Sequence, residues 1–433
     1  MKGEICFLLL LLLCVETSIS STKCNSPSKG CDDNVSQSNH TSDNATQKQN
    51  LSHEAQQQLT IYNVITKTTD FGFNLYRTVA NKHDENIFIS PLSVSFSLAS
   101  LMVGTKGSTY REILQGLNLH LFNTIDKPHA LPSIFRKLKD NITRNEDLVL
   151  ERGSFSFVHE DFPVKDSFVN VSLQYFDMEF SNLDFQNSSN AKEVINNYIN
   201  KITNGKISTL FDEIDPQTKL ILVDYILFKG KWIYPFNPAL TELGTFYISK
   251  YNNVKVPMMF KTDKISSVFD ENLQCLVVKL PYRGHASMLV IMPQKESDYT
   301  SIEDHLSSEL VHKWLANMKE RKIDILFPKF KLDQKYQMQK CLQDLGIKEI
   351  FSGKGNLSGL TDERNLRLTQ VTQRAVIDVD EKGTEAAAVT GSEMTGYAMP
   401  STIHVDHPFL FIIFEEVYNT LLFIGRLIDP TKP

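Results

Sequence analysis

The sequence predicts one large mixed α+β domain behind an export signal and a polar tail. Three observations carry this. Apolar residues recur at helical spacing in the first half, strand-like apolar runs crowd the second half, and no internal repeat or Pro/Gly-rich linker interrupts residues 57–433. The chain has 433 residues, 41% hydrophobic and 22% charged, which is ample for a large core. Lys and Arg number 45 against 51 for Asp and Glu, a formal net charge of −6, so bulk charge gives no reason to expect nucleic-acid binding.

Residues 1–20 read as a signal peptide: Lys2 supplies the positive start, residues 7–15 are apolar, and Ser18, Ile19 and Ser20 offer a small-residue cleavage site. The run is too short to cross a bilayer, so a secreted, extracellular product is expected. Residues 21–56 are rich in Ser, Asn, Gln, Asp and Lys and cannot bury enough apolar surface to offset ordering entropy, so they read as a disordered tail. Asn-x-Ser/Thr signals fall at Asn34, Asn39, Asn44 and Asn50 in that tail, and at Asn141, Asn170, Asn187 and Asn356 beyond it. Of six cysteines, Cys6 and Cys14 leave with the signal. Cys24 and Cys31 could close a small loop in the tail, Cys275 sits in an apolar run as a buried thiol, and Cys341 lies further on.

From Gln57 the texture changes. Ile61, Val64, Ile65, Phe71, Leu75 and Val79 give an amphipathic first helix, and further helices are expected around 94–103, 109–117, 134–142 and 191–202. Residues 219–228 form a largely apolar run, as in a strand buried on both faces. Residues 276–280, 287–292 and 323–327 are similar, and 409–414 with 421–427 form a hairpin around 415–420.

Between two apolar strands, residues 380–400 are long, small-residue-rich and poor in turn signals; loops of that length are usually functional or disordered. Thr384, Ala386, Ala388, Thr390, Ser392, Met394 and Gly396 fall on one period-two face, and Glu385 and Glu393 on the other. That pattern suits a segment able to become a half-buried strand, and equally a flexible Ala/Gly/Thr loop.

Four sets of residues resemble the serpin family in its order. They are Glu381-Lys382-Gly383-Thr384-Glu385-Ala386-Ala387-Ala388, Asn86 through Ser93, Phe228-Lys229-Gly230-Lys231-Trp232, and His407-Pro408-Phe409 with Phe423-Ile424-Gly425-Arg426. The resemblance spans about 57–433. It implies three β-sheets with about nine helices and an exposed reactive centre loop at about 381–400. It also implies a suicide-substrate protease inhibitor: the protease attacks a bait bond, and the cleaved loop inserts into the central sheet as an extra strand. Register counted from Glu381 places the bait bond at Tyr397–Ala398. The hinge is carried by Glu381, Gly383, Thr384, Glu385, Ala386, Ala387 and Ala388. Shutter and breach roles carry over to Asn86, Ser90, Ser93 and Trp232, with Glu381 able to pair with Lys329. Gln373 stands where many serpins have His.

Tyr397 suits a trypsin-like protease poorly, because a specificity pocket left with an unpaired buried carboxylate typically costs about 2–5 kcal/mol. Either the target is chymotrypsin-like, or a cofactor holds inhibitor and protease together. Residues 392–400, 250–259 and 327–336 resemble a coagulation serpin of plasma. In that inhibitor the positions matching Lys250, Tyr251 and Asp304 contact protein Z, its cofactor, and the targets are factor Xa and factor XIa. Arg136, Lys137, Lys139 and Arg144 resemble heparin-responsive helices of related inhibitors; a solvated helix face reads as well. A non-inhibitory carrier on the same scaffold is the competing reading. Enzyme classes lack their motifs: there is no Gly-x-Ser-x-Gly, His-Glu-x-x-His, Walker loop or paired-Cys motif, and the 11 histidines form no ligand-spaced cluster.

Overall fold

The computed structural model describes residues 60–122, 129–143, 148–294, 299–383 and 401–433. Nine α-helices lie among the described residues: α1 (Ile61–Ala80), α2 (Pro91–Val103), α3 (Gly107–Gly116), α4 (Ala130–Thr143), α5 (Asp166–Phe176), α6 (Ser188–Ile202), α7 (Tyr299–His305), α8 (Ser308–Asn317) and α9 (Gln339–Asp344). The first begins where the Thr60 side chain accepts from the Asn63 amide at 3.1 Å, an N-cap, and buries Val64, Ile65, Phe71, Leu75 and Val79 as its spacing requires. Helix α2 starts on a Ser90 cap with Pro91 in the first turn and is buried almost all round. Its serines at 93, 95, 97 and 100 are small enough to let it lie close beneath the sheet.

A five-stranded sheet runs in the order β10 (Phe330–Gln337), β11 (Gln370–Val379), β4 (Leu220–Gly230), β2 (Leu148–His159) and β3 (Met178–Leu183). Strand β4 is buried along nearly its whole length, as its apolar run demands. The remaining strands form one larger network in the order β1 (Ile87–Ile89), β14 (Thr420–Leu427), β13 (Phe409–Glu415), β8 (Ala286–Pro293), β7 (Cys275–Tyr282), β6 (Asn252–Asp270), β9 (Lys319–Pro328) and β12 (Ser401–His404). Strand β5 (Glu242–Ser249) also pairs with β6. Two of the three expected sheets therefore run together. The cause is β6, whose 19 residues pair with β5 over 252–258, with β9 over 258–267 and with β7 over 266–270.

The expected hairpin is present, and its turn is tightened by Glu415, which accepts from the amides of Val417 (2.7 Å) and Tyr418 (3.0 Å). The main core fills the space between the sheets and helices α1 to α4. A second core lies on the other face of the five-stranded sheet, where Ala191, Ile195 and Ile199 of α6 cover Phe155, Phe157, Val223 and Tyr225.

Candidate functional site

The site is built where β11 ends. Its neighbours differ in direction: β10 and β11 are antiparallel, whereas β11 and β4 are parallel over the eight pairs from Gln370–Ile221 to Ile377–Phe228. Parallel pairing is slightly weaker per residue. A strand folding back from the end of β11 would run antiparallel to both β11 and β4, replacing one parallel ladder with two antiparallel ones. β2 and β3 are parallel as well, but the β4–β11 seam is the parallel pairing that a strand folding back from β11 would reach.

The chain is held tightly just before it leaves. Glu381 receives Lys329 Nζ at 2.8 Å and the Thr241 hydroxyl at 2.8 Å, while its carbonyl accepts from the Phe236 amide at 2.8 Å. Burial raises the Glu381 carboxyl, but Lys329, the Glu381 backbone amide and Thr241 outweigh it and hold the group below its ordinary range. The Trp232 amide donates to the Lys382 carbonyl (3.2 Å), and its indole N–H to the Asp380 carbonyl (3.0 Å). Its ring stacks on Tyr282 at 4.1 Å between centroids. Gly383 closes the turn with φ +97°, and a Cβ there would come within 2.2 Å of the Gly230 carbonyl oxygen. Lys329, Trp232 and Glu381 are therefore brought together as the sequence suggested. The hinge residues Thr384, Glu385, Ala386, Ala387 and Ala388 and the bond Tyr397–Ala398 lie outside the described residues.

Halfway down the seam, Gln373 of β11 reaches under β4 to the start of α2. Its amide accepts from the Ser90 N–H (3.1 Å) and donates to the Ser90 carbonyl (2.8 Å) and to Asp224 Oδ2 (3.3 Å). The Ser93 hydroxyl also donates to Asp224 Oδ2, and the Ser90 hydroxyl donates to the Leu422 carbonyl at 2.8 Å. Asp224 is 2% exposed and its Oδ1 has no hydrogen-bond partner. Burial pushes its carboxyl up to about 6, against the opposing pull of Ser93, Arg152 and Gln373. The Arg152 guanidinium is itself placed over the Phe96 ring (4.5 Å) and donates to the Phe176 carbonyl (2.9 Å).

Asn86 does not join this group. Its side chain instead binds the C-terminal segment, donating to the carbonyls of Asp429 and Lys432 and accepting from the amides of Ile428 and Asp429. Asp224 is the residue that the sequence reading missed. The signal was available, since it is the lone carboxylate in a run read as buried on both faces.

Lys250 and Tyr251 form the turn between β5 and β6; Tyr251 is 89% exposed, and Lys250 Nζ lies 5.5 Å from its ring centre. Asp304 is exposed on α7, beside the buried Glu303 that pairs with Arg426 at 3.0 Å. On α4, Lys139 is committed to Asp177 (2.7 Å) and Arg136 lies 3.9 Å from Asp140, while Lys137 is exposed and makes no ion pair among the described residues; Arg144 lies outside them. Among the glycosylation signals, Asn170, Asn187 and Asn356 are exposed and Asn141 is half-buried. Asn187 caps α6 through Oδ1, which leaves its nitrogen for a glycan. Asn34, Asn39, Asn44 and Asn50, with Cys24 and Cys31, lie outside the described residues, while Cys275 and Cys341 are buried free thiols. Among the described residues, no cluster of His, Cys, Asp or Glu is placed to hold a metal, and no helix is long and apolar enough to cross a membrane.

The five-stranded sheet thus holds a parallel β4–β11 seam, a clamped segment at the end of β11 and a buried polar group under that seam. The chain belongs to the serpin family: residues 66–430 match the family model described as serpin (serine protease inhibitor). The family is described as one of protease inhibitors, not of enzymes. The protein Z-dependent protease inhibitor of Homo sapiens is 50% identical over 366 residues, covering 84% of this chain and 82% of that protein. Its Mus musculus counterpart is 48% identical over the same shares. A crystal structure of the mouse inhibitor superposes with a TM-score of 0.80 at 47% identity, covering 86% of this chain and 98% of that one. Human thyroxine-binding globulin complexed with its hormone also superposes at 0.80, with 33% identity over 86% of this chain and 99% of that one.

Proposed function

We propose that this chain is a secreted plasma glycoprotein of blood coagulation. In this reading it traps factor Xa with protein Z as cofactor, traps factor XIa as well, and is attacked at Tyr397–Ala398. One observation carries the inhibitory part: the weak parallel seam beside β11 ends at the clamped turn 380–383, from which the small-residue segment 384–396 departs. Insertion of that segment turns one parallel ladder into two antiparallel ones and drags the acylated protease with it.

The cofactor part is supported by the 50% identity to a relative named for its dependence on protein Z, and by the exposure of Tyr251 at a turn. Tyrosine is among the residue types enriched as interface anchors. Protein Z would raise the local concentration of a protease whose pocket Tyr397 fits poorly. Heparin contact at α4 would rest on Lys137 with Arg136, because Lys139 already holds Asp177.

The test incubates the purified protein with factor Xa, with and without protein Z, calcium and phospholipid, and resolves the products on denaturing gels. A covalent band forming much faster with the additions, and losing that acceleration in Tyr251→Ala, supports the whole reading. Cleavage without a covalent band removes the trapping mechanism. A band only with chymotrypsin-like proteases removes protein Z and keeps the trap.

A further inference from the structure

We propose that Arg77 is a positioning residue for Asp304: it fixes the short helix α7 to α1 and so sets the Asp304 carboxylate before a partner arrives. The inference rests on the reading of Asp304 as a protein Z contact. Helix α7 has only seven residues, too few to hold their shape unaided. Its last carbonyls also need donors from outside the helix. Arg77 of α1 supplies them. Its Nη1 donates to the Leu306 carbonyl at 2.7 Å and, at 3.4 Å, to that of Glu303, while Nη2 donates to Asn74 Oδ1 at 2.6 Å.

Glu303 is the inner anchor of the same helix. It is buried and accepts from the Tyr76 hydroxyl at 2.6 Å and from Arg426 Nη1 at 3.0 and 3.2 Å. The next residue lies about 100° further round the helix, so holding Glu303 inward turns Asp304 out to solvent. Burial pulls the Arg77 guanidinium below its ordinary range, and the charges of Asp304 and Asp70 act against that pull. Asp70 is already taken by the amide and hydroxyl of Ser308, at 3.1 and 2.6 Å, whereas Asp304 makes no ion pair among the described residues. Without Arg77 the last turn of α7 is free to fray. Partner binding must then order both the turn and the Asp304 side chain, a cost that preorganisation removes. Arg426 is the poorer probe, because its guanidinium also donates to the carbonyls of His83 and Glu85.

The test measures binding of the full-length protein to immobilised protein Z by surface plasmon resonance. Arg77→Met should weaken binding about tenfold. Asn74→Ala, which frees one side of the guanidinium, should weaken it about threefold and carries the test if Arg77→Met does not fold. The background in which each change is made separates positioning from general damage. With Asp304→Ala already present, either change should cost less than about twofold more, because there is no carboxylate left to place. With Tyr251→Ala present instead, the losses of about tenfold and threefold should persist. Equal losses in the parent and Asp304→Ala backgrounds overturn the positioning role while the protein Z reading stands. So does full binding by both Arg77→Met and Asn74→Ala, or by Asp304→Ala alone. A parent chain that does not bind protein Z overturns the partner and the positioning role together.

Discussion

Replacing Asp224 by Asn keeps the shape of the side chain under the seam and removes its charge. The carboxyl stands at about 6 in the folded protein against an ordinary 3.8, because it is fully buried with one oxygen unpaired. A shift of about two units corresponds to about 3 kcal/mol by which folding disfavours the ionised form. The sign follows from which state binds the proton more tightly. The folded state does, so the cost is absent below pH 3.8, grows between the two values, and is complete above pH 6. Asn still offers an oxygen to Ser93 and Gln373, and the unpaired atom opposite is common to both chains, so the charge is the main difference. Unfolding entropy for a domain of this size is about 0.8 kcal/mol per kelvin, so Asp224→Asn should raise the unfolding temperature by about 3–4 °C at pH 7.4. At pH 4.5 the gain should fall to about a third. Scanning calorimetry at one fixed scan rate reads both values, because proteins of this size often unfold irreversibly. A gain equal at the two pH values, or a loss at pH 7.4, would refute the claim that ionisation of Asp224 strains the native sheet.

Other consequences follow from the clamp and the core. Gly383→Ala should destabilise by about 2–3 kcal/mol or more, since both the positive φ and the contact with the Gly230 carbonyl resist a Cβ; chemical denaturation would show a lowered midpoint. Lys329→Met should cost about 1 kcal/mol at neutral pH, a figure discounted because the lysine is 35% exposed. The Glu381 carboxyl is held below its ordinary 4.5, so the contribution is present above that value and is lost as pH falls through the lower folded value; thermal melts of parent and variant should converge in acid. Burial pushes the Cys275 thiol up to about 12, so peptide mapping after iodoacetamide at pH 8 should find Cys275 unmodified until the protein is unfolded.

The parts legible in sequence were those written in local pattern. The spacing of Val64, Ile65, Phe71, Leu75 and Val79 gave α1, and the apolar run at 219–228 gave β4, because a helix stripe and a doubly buried strand each impose a period or an unbroken stretch. Glu381 and Lys329 were paired through the family's motifs, and the 2.8 Å contact agrees. What stayed hidden depends on partners far apart in the chain. The fusion of two sheets through β6 follows from three different neighbours along one strand, which its own residues do not announce.

Asn86 and Asp224 make the same point from opposite sides. Asn86 stands four residues from Ser90 and was grouped with it, yet β1 carries the chain away and leaves its amide to the C-terminal carbonyls. Asp224 stands 131 residues from Ser93 and shares a hydrogen bond with it. Reading Asp224 as one carboxylate in an apolar strand left out its burial, which is set by α2 below and by β11 and β2 on either side. A buried charge is costly wherever a fold places it, and here it sits beside the parallel seam at which insertion is proposed, so the strain and the proposed function fall on the same residues.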